Sequence, residues 1–248
     1  MAALALLDAT ILAGALRMGA RSNMVKLDLD SAKLDTTVFT SGGWEESIQG
    51  LKKAEIETSG FFDAAPVETG ALAPDAQLWS DLGGAQVPVT VSPTGADLSV
   101  AYIVPTRRGM ISLFGKVGEV APYASSMWAD GATARGVLIH PDNVVRTTSG
   151  TGSTSILGTV PTGKSLAVAI HVLMVAGTTP ALTLTVQRDD NAGFTTPVTV
   201  ATLGPTAVPA ASLTVVAGPI TPDDRYRVTW TLTGTTPTAR FAVAVGTT

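Results

Sequence analysis

The stretch GGWEESIQGLKKAEIETSGFFDA, residues 42–64, constrains the fold most, because it alternates polar and apolar side chains over a long run. Gln49, Lys53, Glu55 and Glu57 share one parity, and Ile48, Ala54 and Ile56 the other. Period two is the mark of a strand with one wet and one dry face. Gly50 is placed to make a bulge, and a one-residue slip there exchanges the two faces beyond it. No catalytic grouping accompanies the run, so it reads as framework.

Upstream, Val25, Leu27 and Leu29 alternate with Lys26, Asp28 and Asp30, a second strand of the same kind. The apolar residues 5–16 precede it across the turn-prone Gly19, Ser22 and Asn23, which predicts a hairpin between the two runs. Pro74 to Leu82 has proline in the first turn, Asp75 near the positive end, Leu78, Trp79 and Leu82 on one side, and Gly83 as a stop. It is the one helix expected. Short strands broken by proline and glycine follow from Val87 to His140 and predict a meander. The segment TTSGTGSTS, residues 147–155, reads as a flexible link. Beyond it Leu182, Leu184 and Val186, then Tyr226, Val228, Trp230 and Leu232, and finally Phe241, Val243 and Val245, alternate with neighbours as in a sandwich with one buried face per sheet.

Composition narrows the function. Residues 1–150 hold 11 Lys and Arg against 16 Asp and Glu, and the remainder 5 against 4, which argues against a groove gripping phosphates. There is no cysteine, hence no disulfide framework or thiolate metal site. The apolar start lacks a preceding basic residue and carries Asp8, so neither a signal peptide nor membrane insertion is expected.

Three sites could carry chemistry. GTVPTGKS, Gly158 to Ser165, fits the phosphate-loop pattern, but that loop needs a helix after it, and SLAVAIHVLMVAG reads as a strand. Lys164 is then an ordinary loop lysine rather than the anchor of a nucleotide-binding protein. His140 and His171 stand apart without ligand partners, as packed histidines do. Asp189, Asp190 and Asn191 offer oxygens to Ca²⁺, yet DDNAG is hairpin-turn chemistry. Trp44, Trp79, Trp128 and Trp230 are scattered, as in core or interface packing. No enzyme activity, metal or cofactor is expected.

Several patterns together resemble a known family. They are Gly14, then Asn23-Met24-Val25-Lys26-Leu27, Asp35-Thr36-Thr37, Gly50-Leu51-Lys52 and Gly60-Phe61-Phe62-Asp63-Ala64, with AIHVLMVAG, LTLTVQRDDNAGF and GPITPDDRYRVTWTLTG in the second part. The chain resembles the tail tube (major tail) proteins of long-tailed bacteriophages, especially those infecting actinobacteria. The resemblance implies a mainly β protein, with a tail-tube-type β-sandwich or barrel and one flanking helix over residues 1–146, a link at 147–155 and a second β-sandwich at 156–248. It implies stacked hexameric rings of this chain in the virion tail, assembled in the host cytoplasm. The partners would be tape measure and tail terminator proteins, with phage DNA passing through unbound. Lys26, Asp28, Asp30, Lys53, Glu55 and Glu57 are then expected to face the lumen. A virion decoration or host-adhesion module is the alternative.

Overall fold

The computed structural model describes residues 9–38, 42 and 44–248. Residues 5–8 of the first apolar run, and 39–41 and 43 of the loop before the opening strand, lie outside the described residues.

The chain turns back earlier than the expected hairpin. Strand β1 (Thr10–Ala13) ends at Gly14, whose φ of +58° suits glycine, and β2 (Leu16–Arg17) pairs directly back on it. The next strand, β3 (Ser22–Asp35), therefore pairs with β4 (Ser47–Phe61) instead of the first run. Helix α1 (Pro74–Asp81) opens on proline and stops before Gly83, φ +68°, as its pattern predicts. Its buried stripe is Pro74, Leu78 and Asp81. Trp79 is 76% exposed, because the helical repeat sets Asp81, not Trp79, on the side of Pro74 and Leu78, and Leu82 also faces outward, being the cap residue at which the backbone has already become extended.

The following strands do not form a simple meander. They are β5 (Val87–Ser92), β6 (Val100–Leu113), β7 (Pro122–Ala129) and β8 (Ala134–His140). One edge of β6 takes β5, while the other takes β8 at Val100–Ile103 and β7 at Thr106–Leu113. Thus β6 belongs to two parts of the sheet at once. Short strands β9 (Val145–Arg146), β10 (Gly150–Thr151) and β11 (Ser155–Ile156) precede β12 (Ser165–Asp189), β13 (Val198–Thr206), β14 (Ala210–Ala217) and β15 (Arg225–Thr247). Residues 147–155 run along β15: Gly150 pairs with Trp230, and the Trp230 indole N–H donates to the Thr148 carbonyl at 2.8 Å.

All strands join one antiparallel sheet whose main path is β13-β12-β15-β8-β6-β5-β1-β2, not closed into a barrel. Among the described residues the protein is mainly β with one short helix. Among the described residues no helix is long and apolar enough to cross a membrane.

Strands β12 and β15 pair from Leu166↔Thr247 to Asp189↔Arg225, with register shifts between Val172 and Ala181. Outside those shifts their far halves alternate as expected, burying Leu182, Leu184, Val186, Tyr226, Val228, Trp230 and Leu232. The near halves do not. Leu166 to Val175 and Phe241 to Val245 are buried on both faces, because Ala167, Ala169, Ala242 and Ala244 pack against Leu12, Ala101, Ile103 and Leu138 from the first part of the chain. Alanines let the two layers approach closely.

Both histidines pack inside this junction. His171 donates from Nδ1 to the Gly14 carbonyl at 2.7 Å and accepts at Nε2 from the Thr90 hydroxyl at 2.8 Å. His140 donates from Nδ1 to the Phe241 carbonyl at 3.1 Å, accepts at Nε2 from Arg146, and stacks on Phe241 with ring centres 4.2 Å apart. Burial lowers each pKa to about 4, helped at His140 by the Arg146 charge. Above the unfolded value near 6.5 this costs nothing. As pH falls the unfolded chain takes up protons that the native one refuses, and the loss levels off below about 4. Urea unfolding should therefore show stability dropping between pH 6.5 and 4, by on the order of 3 kcal/mol per histidine. His171→Gln should lessen the slope.

Candidate functional site

The β3–β4 hairpin, flanked by β7 and the second half of β6, makes a four-stranded sheet with two unlike faces. Cross-strand partners share a face. Leu27↔Ile56, Leu29↔Ala54 and Val25↔Thr58 lie on one side, continued by Met127, Ser125 and Tyr123 of β7. Around Ala54, Ile56 and Met127 this side is dry, and α1 covers it through Leu78, while Leu29 at its outer end is 56% exposed.

The other face holds Lys26↔Glu57, Asp28↔Glu55 and Asp30↔Lys53. The structure thus brings together every charged residue singled out in the sequence, on an exposed face, with only Glu57 partly covered. Lys26 Nζ lies 2.6 Å from Asp28 Oδ2, and Lys53 Nζ 3.3 Å from Asp30 Oδ2. The hydrogen bond and charge of Asp28 raise the Lys26 pKa, while the Ser31 backbone N–H and then Lys53 lower that of Asp30. Asp28 and Glu55 are like charges directly opposed, which is unfavourable. Glu55→Lys should consequently raise the melting temperature by roughly 1–2 °C at low salt, an effect that 0.5 M salt, with a Debye length of about 4 Å, should remove.

Sequence reading missed what β6 and β7 add to this face. Trp128 and Arg107 lie level with Glu55, and Ser126 and Met110 level with Glu57. The Trp128 ring covers Gly109, where a Cβ would sit 1.6 Å from it, and Arg107 Nε reaches Asp130 Oδ2 at 2.6 Å. The alternation in YASSMWA, residues 123–129, sets Trp128 on the face away from Met127 but does not show which strands flank it.

The Gly50 bulge is present. Ser31 pairs with Lys52 but Lys33 with Gln49, so β4 holds one extra residue there. A Cβ on Gly50 would crowd Ala32 and Leu34. Beyond the bulge the faces exchange: Leu34↔Ile48 joins the charged side, while Lys33 and Gln49 join the other. Ile48 therefore leaves the company of Ala54 and Ile56 that parity gave it. Leu34 and Ile48 are 50% and 57% exposed, and β4 before Glu55 pairs only with β3 among the described residues.

The other candidates resolve into structure. Ser165, the last residue of the phosphate-loop pattern, begins strand β12 where that loop would need a helix, and Lys164 sits exposed in a turn. Asp189 accepts from the backbone N–H groups of Asn191 and Thr196, which is turn chemistry. Among the described residues no group of three His, Cys, Asp or Glu converges as metal ligands. Trp230 is in the core, whereas Trp44, Trp79 and Trp128 are exposed.

No protein-family model matches the chain, and no curated protein matches it. Similar solved structures include a chain of the virion of a native gene transfer agent particle, 21% identical with a TM-score of 0.41, covering 52% of this chain and 95% of that one. A chain of the tail of an empty gene transfer agent particle with C6 symmetry is 20% identical at 0.41, covering 51% and 94%. The SPP1 Dit protein, described as a hub of the adsorption apparatus in phages infecting Gram-positive bacteria, is 11% identical at 0.34, covering 97% and 99%. At these scores the likeness assigns neither family nor partner.

Proposed function

We propose that this protein is a structural subunit of a bacteriophage tail, and more narrowly of the tail tube. Copies stand side by side in hexameric rings, the rings stack, and the sheet β3-β4-β7-β6 of each copy turns its charged face to a central passage for DNA. The observation that carries this is the sheet itself: one face packed on a core and backed by a helix around Ala54, Ile56 and Met127, the other wet and bearing Lys26, Asp28, Asp30, Lys53, Glu55 and Glu57. Among the described residues β3 pairs only with β4, and β6 beyond Arg108 pairs only with β7. Open sheet edges of this length call for a strand partner, and closure into a ring removes them.

A lining that mixes acids with Lys26, Lys53 and Arg107 has no cluster of cations on which phosphates would stick. Residues 1–146 form the tube wall in this proposal, 147–155 the link, and 156–248 a second sandwich; tape measure and terminator proteins are the partners that the sequence resemblance implies. Negative-stain microscopy of concentrated protein should show rings or stacked tubes with the charged sheet innermost. Persistent monomers, or rings whose charged face lies outside, would refute it.

A further inference from the structure

We propose that the turn between β6 and β7 of one copy, residues 114–121, docks in the pocket beside the open edge of β3 in the next copy, where Glu119 meets Arg17. The inference rests on the ring reading above and names the contact that joins neighbours. The turn is apolar and uncovered: Phe114, Val117 and Val120 are exposed, Val117 completely. So dense a group of exposed apolar side chains marks a contact surface. Its base is held in place. Phe114 rests edge-on against Phe62 with ring centres 5.4 Å apart, and its N–H donates to the Pro122 carbonyl at 3.1 Å. Its φ of +70° is a costly conformation for a bulky residue. Lys116 and Glu119, the two charges of the turn, have no ion partner among the described residues.

The pocket has the matching chemistry. It encloses about 320 Å³, runs along residues 22–25 of β3, and is walled opposite by Thr10, Arg17 and Asp142. Its lining is mainly polar, which suits a turn carrying one charge of each sign, and exposed Met24 on the rim offers Val117 and Val120 an apolar contact. The buried Asp142 is already engaged: one oxygen takes the Thr10 hydroxyl at 3.2 Å and the other the Arg17 Nε. Arg17 is one-third exposed, and its Nη1 and Nη2 are neither bonded nor buried among the described residues. Two free donors in a fork suit a carboxylate. The topology brings turn and pocket together. Leu113 pairs with Tyr123, Tyr123 with Gly60 and Gly60 with Ser22, so the turn and the start of β3 lie at the same end of the sheet. Every strand of β3-β4-β7-β6 runs against its neighbour, and a β3 set beside the open β6 edge keeps that alternation only with Ser22 towards the turn. An exposed ion pair adds little affinity, so Glu119 selects the register while strand pairing and the apolar turn hold the copies together.

The chain has no cysteine, so engineered ones report the contact directly. Asn23→Cys and Val117→Cys, both at exposed positions, are mixed at the highest concentration used for microscopy and treated with a short bismaleimide. The mixture should give cross-linked dimers on a denaturing gel. Neither variant alone should, because the two positions sit on opposite edges of the sheet. Glu119→Lys should keep the wild-type melting temperature yet need at least tenfold more protein to form rings in negative stain, a gap that 0.5 M salt should narrow. Rings that form without the mixed dimer, or that Glu119→Lys builds at the wild-type concentration, overturn this contact and leave the ring reading standing. A mixed dimer without rings supports the contact in an open chain and refutes the closed ring. Neither rings nor mixed dimer overturns both.

Discussion

Replacing Arg108 by alanine is expected to destabilise the protein by about 3–5 kcal/mol in urea unfolding at pH 7. The guanidinium projects from β6 onto the dry face, its side chain 1% exposed, and lies 3.5 Å from the 7% exposed carboxylate of Asp81 at the end of α1. Gln77 holds the other Asp81 oxygen at 2.6 Å, and Arg108 also donates to the Ser125 hydroxyl. Burial pushes the Asp81 pKa up and the Arg108 pKa down, in each case against the pull of the partner. The pair is thus held by mutual need more than by net gain, and removing one member strands the other. Without Arg108 the Asp81 carboxyl should titrate higher still. A raised folded pKa means stability intact below the unfolded value near 4 and lost as pH rises, so the deficit relative to wild type should shrink towards pH 4. The double change Arg108→Met with Asp81→Leu should lie much nearer wild type than the single one, because two buried charges disappear together.

Gly136→Val is expected to be as damaging for a different reason. Gly136 in β8 pairs with Gly246 in β15, and a Cβ there would stand 1.9 Å from the Val245 carbonyl oxygen and 2.3 Å from the Gly246 Cα. These are backbone atoms, so no side chain can move aside. Strand β8 also pairs with β6, which makes this seam the hydrogen-bonded junction between the first and second parts of the sheet. Ordinary overpacking costs roughly 1–3 kcal/mol, and a backbone clash between paired strands should reach or exceed the upper end. Thermal unfolding should show the loss. Amide exchange should speed first at Val137, Leu138 and Val245, while the β3–β4 hairpin keeps its wild-type rates.

The faces of residues 25–30 and 53–58 were legible because strict period two, uninterrupted by glycine, admits one register. At Gly50 the same parity misleads: Ile48 matches Ala54 in the sequence and opposes it in space. Arg108 was invisible because a charge in TRRGM reads as surface, and only the arrival of Asp81 on the helix gives it an interior partner. The pattern groups Trp79 with Leu78 and Leu82 on one side, whereas the side on which α1 packs is set by Pro74, Leu78 and that ion pair. The contribution of Trp128 and Arg107 depends on which strands become neighbours, a long-range fact that local alternation does not encode. The same holds for Ala242 and Ala244, whose burial comes from a layer built by residues far earlier in the chain.

The β12 and β15 pairing bears on how fast the molecule can form. Val243 finds His140 about a hundred residues upstream, and two strands of 25 and 23 residues must reach one register. Closing such separations is entropically slow, whereas the β3–β4 hairpin joins near neighbours and needs no distant partner to start. The hairpin is then expected to form early, with its open edge facing solvent while the remainder still searches. Its interleaved lysines and acids would in that interval discourage sticking to other unfinished chains. The charges attributed to a finished passage would thus serve first as a safeguard during folding.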